Sequence, residues 1–265
     1  MQRKFLNAAT LALVLLMSAC SWLPEQIDET KDWSASRLYS EAQSEMAAGS
    51  YENAIKNLEK LESRYPFGTY AQQAQMDLAY VYYRQGEQAQ ALAATDRFIK
   101  LHPNHPNVDY IYYLRGLINF NDKLSLFNFL SRQDPTERDP KAAREAFDSF
   151  KQLVDRFPDS KYVSDARERM RYLVNAMAAY EVHVADYYYR RGAYLAAANR
   201  AQVAVRQYPD TPPAEQALYI MMRSYDALGL DKLRDDTLQV MKLNYPNSAF
   251  LSGGVKKSKS WWQLF

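Results

Sequence analysis

The chain has 265 residues, 48% of them hydrophobic, which is enough to fold and bury a core, so intrinsic disorder is excluded. Its 8 glycines fall short of the roughly 18 that average usage supplies, arguing against turn-rich all-β folds, and the single cysteine, Cys20, excludes an internal disulfide or a Cys-rich metal site. The net charge of +2 lies in Arg3 and Lys4: 33 basic residues less those two equal the 31 acidic ones, so the basic surplus of a strong nucleic-acid binder is absent.

The first elements are addresses rather than structure. Residues 1–19 join two positive charges, an apolar run from Ala8 to Met17 and the small residues Ser18 and Ala19, which predicts a signal peptide too short to span a bilayer. The stretch Leu16-Met17-Ser18-Ala19-Cys20 resembles the lipobox of bacterial lipoproteins, in which the cysteine becomes the lipid-modified first residue. Several acyl chains, at about 0.8 kcal/mol per buried methylene, would anchor the protein without spanning the membrane. Ser21, where an inner-membrane retention signal would carry aspartate, implies delivery to the outer membrane, facing the periplasm. Residues 20–34 contain Pro24 and several charges without apolar periodicity, and are expected to form a tether from Cys20.

The body repeats a phrase. Arg64-Tyr65-Pro66, Leu101-His102-Pro103, Arg156-Phe157-Pro158, Gln207-Tyr208-Pro209 and Asn244-Tyr245-Pro246 each close a segment, with the prolines 37, 55, 51 and 37 residues apart. Twelve positions before the prolines lie Ala54, Ala91, Ala146 and Ala197, with Arg234 breaking the series; seventeen before lie Gly49, Gly86, Gly192 and Gly229. Glycine ends the first helix of a pair, alanine lets the second cross closely, and proline stops the second. The pattern resembles the tetratricopeptide repeat and predicts an all-α superhelical solenoid of about five helix pairs. N-terminal repeats are expected over 35–160 and C-terminal repeats over 161–250. The excess length between Pro103 and Pro158 is placed in an insertion at 121–140. The glycine- and proline-free run from Ser164 to Arg191 predicts one long helix joining the two sets.

Residues for catalysis do not assemble. His102 and His105 flank a proline that forbids the helical spacing of a zinc pair, His183 stands far along the chain, and no phosphate loop or nucleophile elbow is present. Glu62-Ser63 matches the catalytic dipeptide of lytic transglycosylases, but it falls in a repeat's second helix and no lysozyme-like domain follows. No enzyme, cofactor or metal site is therefore expected. The first helices of stacked pairs instead line a groove suited to extended peptides. Setting the terminating proline at position 32 of the repeat directs Tyr39, Met76, Tyr80 and Tyr83 to that groove; aligning the interrupted unit on Gly116 adds Tyr110, Tyr113 and Phe120. Packing between helices is the alternative for each ring.

The lipobox, the five repeats and several longer phrases together resemble the BamD family, lipoproteins of the outer-membrane β-barrel assembly machinery. The phrases are Arg64-Tyr65-Pro66-Phe67-Gly68, His105-Pro106-Asn107, Arg115-Gly116, Arg138-Asp139-Pro140, Ala179-Tyr180-Glu181, Arg191-Gly192-Ala193 and Asn199-Arg200. The resemblance implies a non-enzymatic scaffold that docks on the periplasmic domains of BamA, recruits BamC and BamE, and contacts unfolded β-barrel proteins. It assigns the BamA contact to Arg200, opposite an acidic residue of the partner, and substrate reading to the N-terminal repeats. A periplasmic repeat adaptor for cell division or peptidoglycan synthesis is the alternative function. The tail, residues 251–265, carries Lys256, Lys257 and Lys259 before Trp261, Trp262 and Phe265. It reads as a plain extension, a membrane-surface anchor or a mimic of barrel substrates.

Overall fold

The computed structural model describes residues 28–120 and 140–252. Cys20, the insertion up to Asp139 and the tail from Gly253 lie outside the described residues. Among the described residues ten helices follow one another: α1 (Ala35–Ala47), α2 (Tyr51–Arg64), α3 (Thr69–Gln85), α4 (Gln88–Leu101), α5 (Val108–Asn119), α6 (Pro140–Arg156), α7 (Val163–Arg190), α8 (Tyr194–Gln207), α9 (Pro213–Ala227) and α10 (Asp231–Asn244). No strand occurs among the described residues.

The repeated phrases act where they were expected to act. Gly86 adopts φ +82°, and its N–H closes α3 on the carbonyls of Tyr82 and Tyr83, a left-handed turn that a β-carbon would strain. The second helices end on Tyr65, His102, Tyr208 and Tyr245, all held near φ −130° because the following proline bars the helical region. Ala54, Ala91, Ala146 and Ala197 are fully buried, so their small side chains sit where the paired helices cross. The result is five antiparallel pairs, α1/α2 through α9/α10, each touching the next.

Three larger cores run along this stack, with a smaller fourth of Ala79, Ala91, Leu114 and Ile118 between α3, α4 and α5. Leu38, Leu58, Leu61 and Leu78 fill the first, between α1, α2 and α3. Phe98, Ile111, Phe150 and Leu153 fill the middle one, where Gly116 packs so closely that a β-carbon there would overlap the Phe150 ring. Alanines 197, 201, 204 and 217 with Val182 and Ile220 fill the third. The long helix is present as α7, 28 residues or about 42 Å, and belongs to both the middle and the C-terminal core. No described helix is long and apolar enough to cross a membrane.

One expectation is corrected at the N-terminus. The tether does not extend to residue 34, because residues 28–34 dock on α2. Asp28 takes ion pairs from Lys60 and Arg64, the Tyr65 hydroxyl donates to the Trp33 carbonyl at 2.9 Å, and Ser34 caps α1. Hydrogen bonds from Thr30 and Lys60, with the charge of Arg64, hold the Asp28 carboxyl far below the usual range.

Candidate functional site

The first helices of successive pairs touch one another, α1 with α3, α3 with α5 and α7 with α9, and so build one continuous inner face. Its N-terminal part centres on Asp77 of α3. The Asp77 carboxylate accepts from the Gln43 amide at 2.7 Å and from the Tyr39 hydroxyl at 3.0 Å, while Gln73 lies 3.0 Å from the same hydroxyl. Burial pushes the Asp77 carboxyl up to about 6, against the lowering effect of its two donors. The Tyr39 hydroxyl is driven well above its ordinary value by burial and then by the neighbouring carboxylate. Its ring meets Tyr70 at 5.6 Å.

Next along the face comes an aromatic row. Tyr162, in the turn before α7, stacks on Tyr113 at 4.7 Å and touches Tyr110 at 5.8 Å. The Tyr113 hydroxyl donates to Asp165 at 2.7 Å; burial and this bond raise it to about 12. Tyr80 accepts from Arg84 at 2.6 Å, and Phe120 sits under Arg169 and beside Tyr172. The row therefore offers phenol hydroxyls, ring faces and carboxylates. Such groups are equipped for stacking and hydrogen bonding.

Of the groove candidates, Tyr39, Tyr80, Tyr83, Tyr110, Tyr113 and Phe120 are half-buried, each ring packed on one side. Met76 is a correction: only 5% exposed, it belongs to the middle core beside Phe98 and Ile111. An unbranched apolar chain at that register turns into the helix pair, whereas a tyrosine keeps its hydroxyl near water. The residues sequence reasoning missed are the polar ones that hold the rings, Gln43, Gln73, Asp77 and Asp165. For Gln43 and Asp77 the signal was an amide or acid one turn from a groove tyrosine; Gln73 and Asp165 reach Tyr39 and Tyr113 from other helices, which no local pattern shows.

Arg200 on α8 donates to Glu181 of α7 at 3.0 Å. The carboxylate is 7% exposed while the guanidinium stays half-exposed, so one side of the arginine is engaged and the other faces out. Glu62 accepts from Gln75 at 3.0 Å and pairs with Arg97, bridging the first and second pairs. His102 contacts Gln75 at 2.9 Å, and both His102 and His105 pack on Phe98, so both are structural. No group of three potential metal ligands occurs among the described residues.

A second surface emerges on the C-terminal pairs. Leu195 of α8 and Leu233, Val240 and Leu243 of α10 are exposed. In the first three pairs the positions equivalent to these three α10 residues carry polar side chains: Asn53, Lys60 and Ser63; Gln90, Arg97 and Lys100; Glu145, Gln152 and Asp155. At these positions the fifth pair is thus apolar where the first three are polar, and the fourth, with Ala196, Val203 and Arg206, is intermediate; exposed apolar side chains of this kind suit a partner contact.

The sequence profile of the YfiO family, described as outer membrane lipoprotein, matches residues 31–241. An outer membrane protein assembly factor BamD from Neisseria meningitidis serogroup A is 46% identical over 260 residues, 97% of either chain. The BamD of Vibrio cholerae is 40% identical over 241 residues, 91% of this chain and 99% of its own. Among solved structures, TPR-like repeats of a Podosopora anserina putative kinesin light chain align over 82% of this chain and 100% of their own, at 14% identity and a TM-score of 0.37.

Proposed function

The chain belongs to the YfiO family of outer membrane lipoproteins, with BamD assembly factors among its relatives, and on that premise we propose how it works as an outer-membrane protein assembly factor. It is a scaffold held at the periplasmic side of the outer membrane through lipid on Cys20. Because residues 28–34 are docked, only residues 21–27 separate the anchor from the first helix pair, about 23 Å at full extension. The N-terminal repeats therefore stay close to the membrane surface.

The inner face receives unfolded β-barrel proteins as extended segments. The observation that carries this reading is the continuous row of half-buried tyrosines and carboxylates on α1, α3, α5 and the start of α7. Ring faces accept side chains of an extended strand, and Asp77 and Asp165 stand ready for its N–H groups. The C-terminal repeats carry the contact with BamA. The open side of the Arg200 guanidinium meets an acidic residue of that partner, and the exposed apolar patch of α8 and α10 supplies contact area. BamC and BamE complete the assembly.

Binding of a peptide containing the last strand of a β-barrel protein, followed by fluorescence anisotropy, tests the inner face. Combined Tyr39→Ala and Tyr113→Ala substitution weakens binding at least tenfold, whereas Met76→Leu, a core change, alters it less than twofold. Unchanged affinity in the double variant, with helical circular dichroism retained, overturns the assignment.

A further inference from the structure

The C-terminal end of the inner face carries a cation where its N-terminal part carries rings. Fourteen residues after the proline that closes the preceding pair, α3 and α7 have Tyr80 and Tyr172 and α5 has Leu117, whereas α9 has Arg223. This arginine is exposed, and rings from two helices grip it. Its guanidinium lies 5.5 Å from the ring of Tyr189 on α7 and 5.8 Å from that of Tyr219 on α9, and one N–H donates to the Tyr219 hydroxyl at 3.0 Å. Each ring is backed in turn. Tyr194 of α8 meets Tyr189 at 5.4 Å, and Phe250, in the segment after α10, stacks on Tyr219 at 4.8 Å. Three helices and a turn thus hold a side chain that would otherwise sweep through solvent.

The charge they hold is unanswered. Among the described residues no carboxylate pairs with Arg223: Asp186, three residues before Tyr189, goes to Arg190 at 2.9 Å, and Asp226, three after Arg223, goes to Arg234 at 3.2 Å. The arginines that bridge other helices, Arg97, Arg115 and Arg200, each meet an acid. A guanidinium has five N–H donors in a planar fork, of which the phenol takes one, and the fork matches the two oxygens of a carboxylate.

We propose that Arg223 is a carboxylate receptor on the inner face, taking the side chain of an acidic residue within an extended polypeptide. The rings beside it take the apolar residues two positions before and after that acid, which an extended chain presents on the same side. Rings on both flanks of the guanidinium suit a residue with neighbours on either side, an internal acid rather than a chain end. This rests on the inner face being a peptide surface, but on none of the side chains that carry that reading, and it gives the face a sequence preference at its C-terminal end.

Fluorescence anisotropy with two labelled, terminally blocked peptides tests it, one with a Phe-Ser-Glu-Ser-Phe centre in a frame of serine and threonine, the other with Gln for Glu. The full chain binds the Glu peptide about fivefold more tightly at low salt, and the preference shrinks as salt rises. Arg223→Gln abolishes the preference with helical circular dichroism retained, while Lys100→Gln, which removes an exposed charge on α4, leaves it intact. The Tyr39→Ala and Tyr113→Ala double variant separates the two readings. If it binds both peptides as the unsubstituted chain does, with the Glu preference still lost on Arg223→Gln, the tyrosine row fails and the receptor stands. Equal affinity for the two peptides overturns the receptor, as does a preference that survives Arg223→Gln. A Gln peptide with a free terminal carboxylate that binds as tightly as the blocked Glu peptide would assign the cation to a chain end, and that also overturns the proposal.

Discussion

A buried carboxylate is stable only while something answers its charge, and this gives Arg200 a structural role beside the partner contact proposed for it. Glu181 sits almost wholly inside the α7/α8 junction and takes its hydrogen bond from the half-exposed Arg200. Removing the guanidinium strands the acid, and Arg200→Ala should lower stability by about 1–3 kcal/mol. Arg200→Glu should do worse, placing two like charges together. Combining Arg200→Ala with Glu181→Gln should recover most of the loss in urea unfolding, while binding to BamA stays impaired. If the double variant binds like the unsubstituted chain, the arginine serves Glu181 alone. Asp77 presents the opposite imbalance. Its carboxyl is raised from 3.8 to about 6, so the folded state holds a proton that the unfolded state has released. Between about pH 4 and pH 6 stability must then fall as pH rises, because the native state binds more protons there. Asp77→Asn should therefore stabilise the N-terminal repeats at pH 8 by about 1–2 kcal/mol, with the gain shrinking towards pH 4. A gain independent of pH would show that charge burial is not its source.

At the scale of helices, the residues that stop and start elements were legible because each acts on its own backbone. Proline bars the helical region for Tyr65, His102, Tyr208 and Tyr245, and glycine supplies the left-handed turn after α3, whatever surrounds them. The long α7 was legible for the same reason, as a run with nothing to break it. Side-chain direction was less so. Met76 and Tyr39 stand at the same position of successive repeats, yet one is core and the other faces the inner surface, a choice made by volume and by the need of a hydroxyl for a partner. The docking of residues 28–34 depends on Lys60 and Arg64 some thirty residues away, and no local pattern of charges could locate it. Nor could sequence show that Arg200 is already engaged, since Glu181 lies nineteen positions before it on another helix.

The described residues form a line of pairs in which each pair packs on its neighbours, so a disturbance should spread along the chain and fade. Gly116 offers the means to test this, because it lies at the centre of the stack and its missing β-carbon is filled by the ring of Phe150. Gly116→Ala should raise the intrinsic helix propensity of α5 but force that ring aside. The net loss should be about 1–3 kcal/mol, confined to the middle core. Hydrogen exchange should then quicken at least tenfold in α5, α6 and the first half of α7, whereas α1 and α10, several contacts away, should change less than twofold. The continuous helix α7 is the element through which the effect could reach the C-terminal pairs, since its first turns pack on Phe150 and its last on Ala197 and Ala201. A gradient of exchange along α7 would mark it as a compliant joint between the N-terminal and the C-terminal repeats. Equal acceleration in all ten helices would mean that the stack opens as one unit, and that a substrate bound at the N-terminal end must be felt at Arg200.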